Sequence, residues 1–242
     1  FLFATYVLEA RFNIDLNDTM GLHYFQADSF NPIQFVSYMF LHDGLSHLFF
    51  NMFSLWMFGR LIEQFWGAKR FLIFYVICGL TAALAQQIVW AVDLMPIVNS
   101  LAEFVRFPEG TEMLKSAFLN LPTTVGASGA VFGLLLAFGM LFPNGEIYLF
   151  FIPIPIKAKW FVMIYAGIEL FYAMSGTNSN VAHLAHLGGM VFGFILIKYW
   201  QKHPASAARV DDVMNLFGNI GKKRFTNSNT RPPHQGTSSG TH

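Results

Sequence analysis

Ser128 stands in Gly126-Ala127-Ser128-Gly129, at the head of an apolar stretch that runs to Phe142. Small residues on both sides let a peptide backbone approach the hydroxyl closely. As a helix the stretch spans about 22 Å, short of a hydrocarbon core of roughly 30 Å, so its serine end sits below one membrane surface. The free N–H groups and the dipole at such a helix start favour a developing negative charge, which is what acyl transfer requires around its oxyanion. Gly129 and Gly133, four apart, also suit plain helix packing, and the soluble-hydrolase elbow Gly-x-Ser-x-Gly is not matched because Ala130 stands two after the serine. The serine therefore needs a partner.

A base is offered by Ala185-His186-Leu187-Gly188-Gly189, with Gly193 further along. If the two glycine faces pack together, His186, one turn outward from Gly189, comes level with Ser128 and can take its proton. Imidazole suits that role, with an unperturbed pKa of about 6.5. Spacing alone leaves His183, three residues earlier, as a second candidate, and packing favours His186 because it shares the stretch with the glycine face. His47 and Asn51 lie four apart on one helix face and both donate hydrogen bonds, as a wall of an oxyanion hole would; a capping or interhelical contact would use the same groups.

No Asp or Glu stands where the sequence would have it orient the histidine, so the pattern predicts a Ser–His dyad. Glu169, the one acid well inside an apolar segment, reads as fixing helix packing through hydrogen bonds in preference to a catalytic role. A zinc protease is disfavoured because no His-Glu-x-x-His occurs, and an aspartyl dyad because it needs two intramembrane acids. Neither a metal nor a cofactor is expected. The single cysteine, Cys78, reads as a small packing residue.

The elements that must position these groups are membrane helices. Of 242 residues 54% are hydrophobic and 12% charged, with 28 Phe, so the natural solvent is the lipid bilayer. A net charge of +1 and the lack of alternating aromatic and basic residues exclude a nucleic-acid partner. Apolar runs predict helices near 46–65, 71–92, 128–142, 160–174 and 181–200, and 1–8 reads as the tail of a truncated first span. The fold class is thus an all-α polytopic membrane protein over 1–202, with outer inserts at about 11–44 and 93–125. The first insert has turn signals at Asn31-Pro32 and Asp43-Gly44 and reads as a loop with partial lipid contact. A polar, disordered tail is expected over 203–242. Twelve of the fifteen Lys and Arg fall on one side of such a topology, which puts both termini in the cytoplasm. A bacterial inner membrane is the expected location, since no eukaryotic targeting segment is visible.

Taken together, these motifs resemble those of the rhomboid family. Gly126-Ala127-Ser128-Gly129 is similar to its nucleophile motif, His47-Leu48-Phe49-Phe50-Asn51 to its His-x-x-x-Asn, and Ala185-His186-x-x-Gly189-x-x-x-Gly193 to its base motif. Glu63, Gly67 and Arg70-Phe71 resemble the family's connection between its second and third helices. The resemblance implies a six-helix bundle and an intramembrane serine endopeptidase. Ser128 would be the nucleophile and His186 the base and later acid, with His47, Asn51 and the Ser128 amide around the oxyanion. The implied substrates are transmembrane proteins whose helix unwinds near the outer face and presents a small residue at the cut. His183 matches no catalytic position. Phe132 stands where some relatives carry a Tyr stacked on the histidine; it can stack but offers no hydroxyl. Residues 175–180 and the 11–44 loop are expected to gate water entry. The competing expectation is a catalytically silent rhomboid-like scaffold that binds membrane clients, against which the retention of Ser128 and His186 argues.

Overall fold

The computed structural model describes residues 15–149, 152–175 and 182–203. The expected first-span remnant at 1–8, the expected tail beyond His203 and the expected gate beyond Ser175 lie outside the described residues. In chain order the first insert holds α1 (Leu16–Met20), β1 (Leu22–His23), α2 (Gln34–Ser37) and a 3-10 turn (Tyr38–Phe40). A continuous helical rod follows, made of α3 (Leu45–Ser54), a π-helical turn (Leu55–Gly59) and α4 (Arg60–Trp66). Gly67, at φ 80°, turns the chain into α5 (Ala68–Asp93). The second insert carries α6 (Met95–Val98), β2 (Phe104–Arg106), β3 (Glu112–Leu114), α7 (Lys115–Asn120) and β4 (Thr123–Thr124). Then come α8 (Ser128–Leu141), β5 (Glu146–Leu149), β6 (Ile152–Lys157), α9 (Ala158–Met174) and α10 (His183–Lys202).

Each predicted apolar segment that is described is helical, with ends displaced by a few residues. Strands were not expected. Among the described residues they form three antiparallel two-stranded ribbons, β1 with β4, β2 with β3 and β5 with β6. Their backbone groups, unlike those of a helix, have no partner within their own segment, and pairing with a neighbour satisfies them. The β1–β4 ribbon pairs Leu22 with Thr124 and His23 with Thr123, so the first insert is fastened to the strand that leads into Ser128.

That insert is more ordered than a loop with partial lipid contact. The buried Gln34 side chain accepts from the His23 and Asn31 amides and donates to the Thr19 and Ser29 carbonyls. Gln87 of α5 accepts from the Phe25 amide and donates to the His23 carbonyl, and the Tyr38 hydroxyl donates to the Gly79 carbonyl. Apolar side chains on the same insert, Phe25, Ile33, Val36 and Phe40, remain exposed.

The centre of the bundle is a seam of α5, α8 and α10. A Cβ on Gly189 would run into the Gly129 carbonyl, one on Gly129 into Ala82, and one on Gly133 would lie 2.5 Å from the Cys78 sulfur. Cys78 is fully buried there, as a packing residue. Gly129 meets Gly189 and Gly133 meets Gly193, so α8 and α10 run in parallel, with α5 antiparallel to both. At the far end Trp66, Phe74 and Trp200 close the bundle with ring centroids 5.0 to 6.3 Å apart. Outward-facing Phe49, Phe50, Trp56, Ile164, Phe171 and Val191 are exposed, an apolar exterior suited to lipid rather than water. By length and composition α5 is long and apolar enough to cross a bilayer, and α8 is shorter.

Gly189→Ala is expected to lower the thermal unfolding midpoint in detergent micelles, at a cost of about 1–3 kcal/mol for overpacking against backbone. Gly167→Ala, on an exposed helix face with nothing within 4 Å of the added Cβ, is expected to leave the midpoint unchanged or raised.

Candidate active site

Ser128 is the first residue of α8, and among the described residues no side chain caps that end. The N–H groups of the first turn are therefore open toward whatever sits beside the serine. The turn that delivers Ser128 depends on Gly126, whose φ of 125° disfavours any L side chain. Space demands glycine as well, because an added Cβ would lie 2.7 and 2.8 Å from the Cε1 and Nε2 atoms of His47. The Gly126 amide donates to the Tyr38 carbonyl at 2.9 Å, which ties this turn to the first insert.

His186 lies in the first turn of α10, 7% exposed, with its Nε2 2.8 Å from the Ser128 Oγ. Phe132, one turn into α8, stacks on the imidazole with centroids 4.4 Å apart and planes 11° apart. This stack holds the ring at the angle at which Nε2 meets the hydroxyl. Its other nitrogen, Nδ1, lies 2.9 Å from the Glu169 Oε2, and the same oxygen lies 2.8 Å from the His183 Nδ1. The sequence offered no acid to orient His186. The structure supplies Glu169, because α9 packs beside α10 and presents the position where its carboxylate meets both histidines. Only that packing, and no linear spacing, brings them together. His183, left open beside His186 by spacing, lies stacked on Tyr172 at 5.3 Å; its Nδ1 faces the same carboxylate as His186 Nδ1, while it is the His186 ring that meets Ser128.

His47 and Asn51 lie on α3, which packs against α8. The Asp43 amide donates to the His47 Nδ1 at 3.3 Å, which leaves the proton on Nε2, one of the ring atoms turned toward Gly126. Asn51 is buried and spends one N–H of its amide on the His47 carbonyl at 3.0 Å, so one N–H remains. The polar groups singled out from the sequence thus gather at one end of α3, α8 and α10.

His42 was missed. It lies in the connection before α3, 6% exposed, edge-on to His47 with centroids 5.2 Å apart, and among the described residues neither ring nitrogen has a hydrogen-bond partner. Burial above all, and then the neighbouring His47, push its pKa from 6.5 down to about 4. Its place five residues before His47 was the only signal in the sequence.

A rhomboid domain model matches residues 29–202. The chain is 29% identical over 155 residues to rhomboid protease GluP of Bacillus subtilis (strain 168), covering 64% of this chain and 23% of that protein. It is 28% identical over 173 residues to rhomboid protein 1, mitochondrial, of Saccharomyces cerevisiae, covering 71% and 43%. With the putative rhomboid protease YdcA of Bacillus subtilis (strain 168) the identity is 31% over 158 residues, covering 64% and 61%. The chain spans less than two thirds of the length of each of these relatives.

A histidine whose folded pKa is depressed is held neutral, so the unfolded chain binds the extra proton as pH falls. Its stability contribution is complete above pH 6.5 and is lost toward pH 4. Melting temperature is expected to fall over that window, and His42→Phe to fall less steeply than the parent across the same pH series.

Proposed function

Because the chain belongs to the rhomboid family, we propose that it is an intramembrane serine endopeptidase in which Ser128 attacks and His186 acts as base. The observation that carries this is the 2.8 Å contact of Oγ with Nε2 at the head of two parallel apolar helices. The two relatives named as rhomboid proteases, one of them putative, support the same class of reaction.

In the proposed reaction the Ser128 Oγ forms a bond to the scissile carbonyl carbon while its proton passes to His186 Nε2. The carbonyl oxygen takes the negative charge at the open first turn of α8, where backbone N–H groups, His47 Nε2–H and the remaining Asn51 N–H are the available donors. The imidazolium then protonates the departing amine as the C–N bond breaks, leaving an ester on Ser128. Water, deprotonated by His186, attacks that ester; the C–Oγ bond then breaks as His186 returns the proton to Oγ, which frees the new carboxyl terminus and regenerates Ser128.

The substrates proposed are transmembrane proteins. A helix hides its carbonyls in its own hydrogen bonds, so a substrate must unwind locally before Ser128 can reach one. The proposed enzyme is a six-helix bundle with both termini on the cytoplasmic side, as its basic residues distribute. Its catalytic end then faces the opposite side, where the inserts lie.

Cleavage of a transmembrane reporter in proteoliposomes tests this. Ser128→Ala and His186→Ala, at matched folding, are expected to lose at least about 10³-fold in kcat, within the roughly 10⁶-fold loss seen when a serine hydrolase loses nucleophile or base. Cleavage that survives Ser128→Ala would overturn the assignment, and a parent inert across a reporter panel would favour the client-binding scaffold. His47→Ala and Asn51→Ala are each expected to lower kcat by about 10- to 10³-fold with KM little changed, as removal of an oxyanion donor does.

A further inference from the structure

We propose that Glu169 is a positioning residue that converts the Ser128–His186 pair into a three-member arrangement, with His183 holding the carboxylate in place. This rests on Ser128 and His186 being nucleophile and base. The geometry is a line: Ser128 Oγ to His186 Nε2 at 2.8 Å, then His186 Nδ1 to Glu169 Oε2 at 2.9 Å. A second donor, His183 Nδ1, meets the same oxygen at 2.8 Å.

A neutral imidazole carries its proton on one nitrogen only. If Nδ1–H donates to Glu169, Nε2 is left as the acceptor that Ser128 requires; with the other tautomer Nε2 would itself donate and could not take the serine proton. When that proton arrives, the imidazolium faces a carboxylate at hydrogen-bond distance in a low-dielectric site, and the developing charge pair is stabilised where water cannot do it. Glu169 is 8% exposed on a helix with Met163, Ile164 and Ile168 on its outer side, and an acid there is expensive unless its oxygens are partnered. The two histidine donors supply partners on one oxygen. Helix packing alone asks for neither the shared oxygen nor its alignment with Ser128.

Glu169, His183 and His186 each offer a metal-ligand atom, all within 4.8 Å of one another. Ligands of a common tetrahedral zinc at about 2.0–2.1 Å from the ion stand roughly 3.3 Å apart. Oε2 is closer than that to both Nδ1 atoms, at hydrogen-bond length, so donation to the carboxylate explains the cluster better than a metal.

The test uses the full chain in proteoliposomes and detergent. Glu169→Gln keeps an oxygen acceptor and removes the charge; Glu169→Leu removes both. His183→Phe keeps a ring beside Tyr172 and deletes the N–H. For reporter cleavage we expect Glu169→Gln to lower kcat about 10²-fold with KM and melting temperature close to the parent, and His183→Phe about 3- to 10-fold. The scale is set below the roughly 10⁴-fold loss known when a serine protease's orienting acid is replaced and the tautomer goes wrong. In two-bond ¹H–¹⁵N spectra His186 should carry its proton on Nδ1 in the parent and in Glu169→Gln, and lose that preference in Glu169→Leu. A kcat for Glu169→Gln within about threefold of the parent, or a His186 tautomer indifferent to Glu169→Leu, would overturn the proposal, and an unchanged His183→Phe would remove His183 from it. If the parent neither cleaves nor reacts with serine-directed reagents, the protease assignment fails, while the spectra still decide whether Glu169 orients His186.

Discussion

Where the carbonyl of Gly129 meets the backbone of Gly189, no side chain fits between α8 and α10, and the two helices run backbone to backbone. Within lipid such closeness cannot be driven by expulsion of water; it comes from dispersion and close fit, which small residues permit. The consequence for chemistry is one of level. Ser128 stands one residue before Gly129, and His186 three before Gly189, so the same contact that joins the helices sets the hydroxyl against the imidazole. Cys78 and Ala82 on α5 fill the third side and leave the pair no freedom to slide.

The proposed nucleophile, in such surroundings, has little bulk water to support a charge, so the protein must supply the polar environment itself. It does so at one end of the bundle. The uncapped start of α8, the His47 ring fixed by the Asp43 amide and the buried Asn51 surround the serine. Phe132 closes one face of His186, and Glu169 takes up its far nitrogen. The first insert contributes less directly. Its Tyr38 carbonyl receives the Gly126 amide and its β1 pairs with β4, so the turn that presents Ser128 is braced from outside the bundle.

Much of this was legible in the sequence, for reasons that can be named. Long apolar runs read as helices because lipid leaves the backbone no other way to satisfy itself, and the described runs are helical. Gly126, Ser128, His186, His47 and Asn51 stood out because polar and small residues are conspicuous in a chain that is 54% hydrophobic. What escaped were relations that cross between elements. The ribbon of Leu22 and His23 with Thr124 and Thr123 joins segments a hundred residues apart. Glu169 was assigned to helix packing because nothing linear links it to His186, seventeen residues on, and only the way α9 lies against α10 brings them together. His42, with no partner for either nitrogen among the described residues, had no periodicity to betray its burial.

Ser128 is proposed to be an activated nucleophile held against a base inside an apolar bundle. Treating the solubilised protein with a serine-directed phosphonate and mapping the adduct by peptide mass spectrometry tests this without any choice of substrate. One adduct on Ser128, abolished in His186→Ala while the protein remains folded, is the expected result. No adduct on Ser128 in the folded parent, or an adduct formed at the same rate without His186, would contradict it.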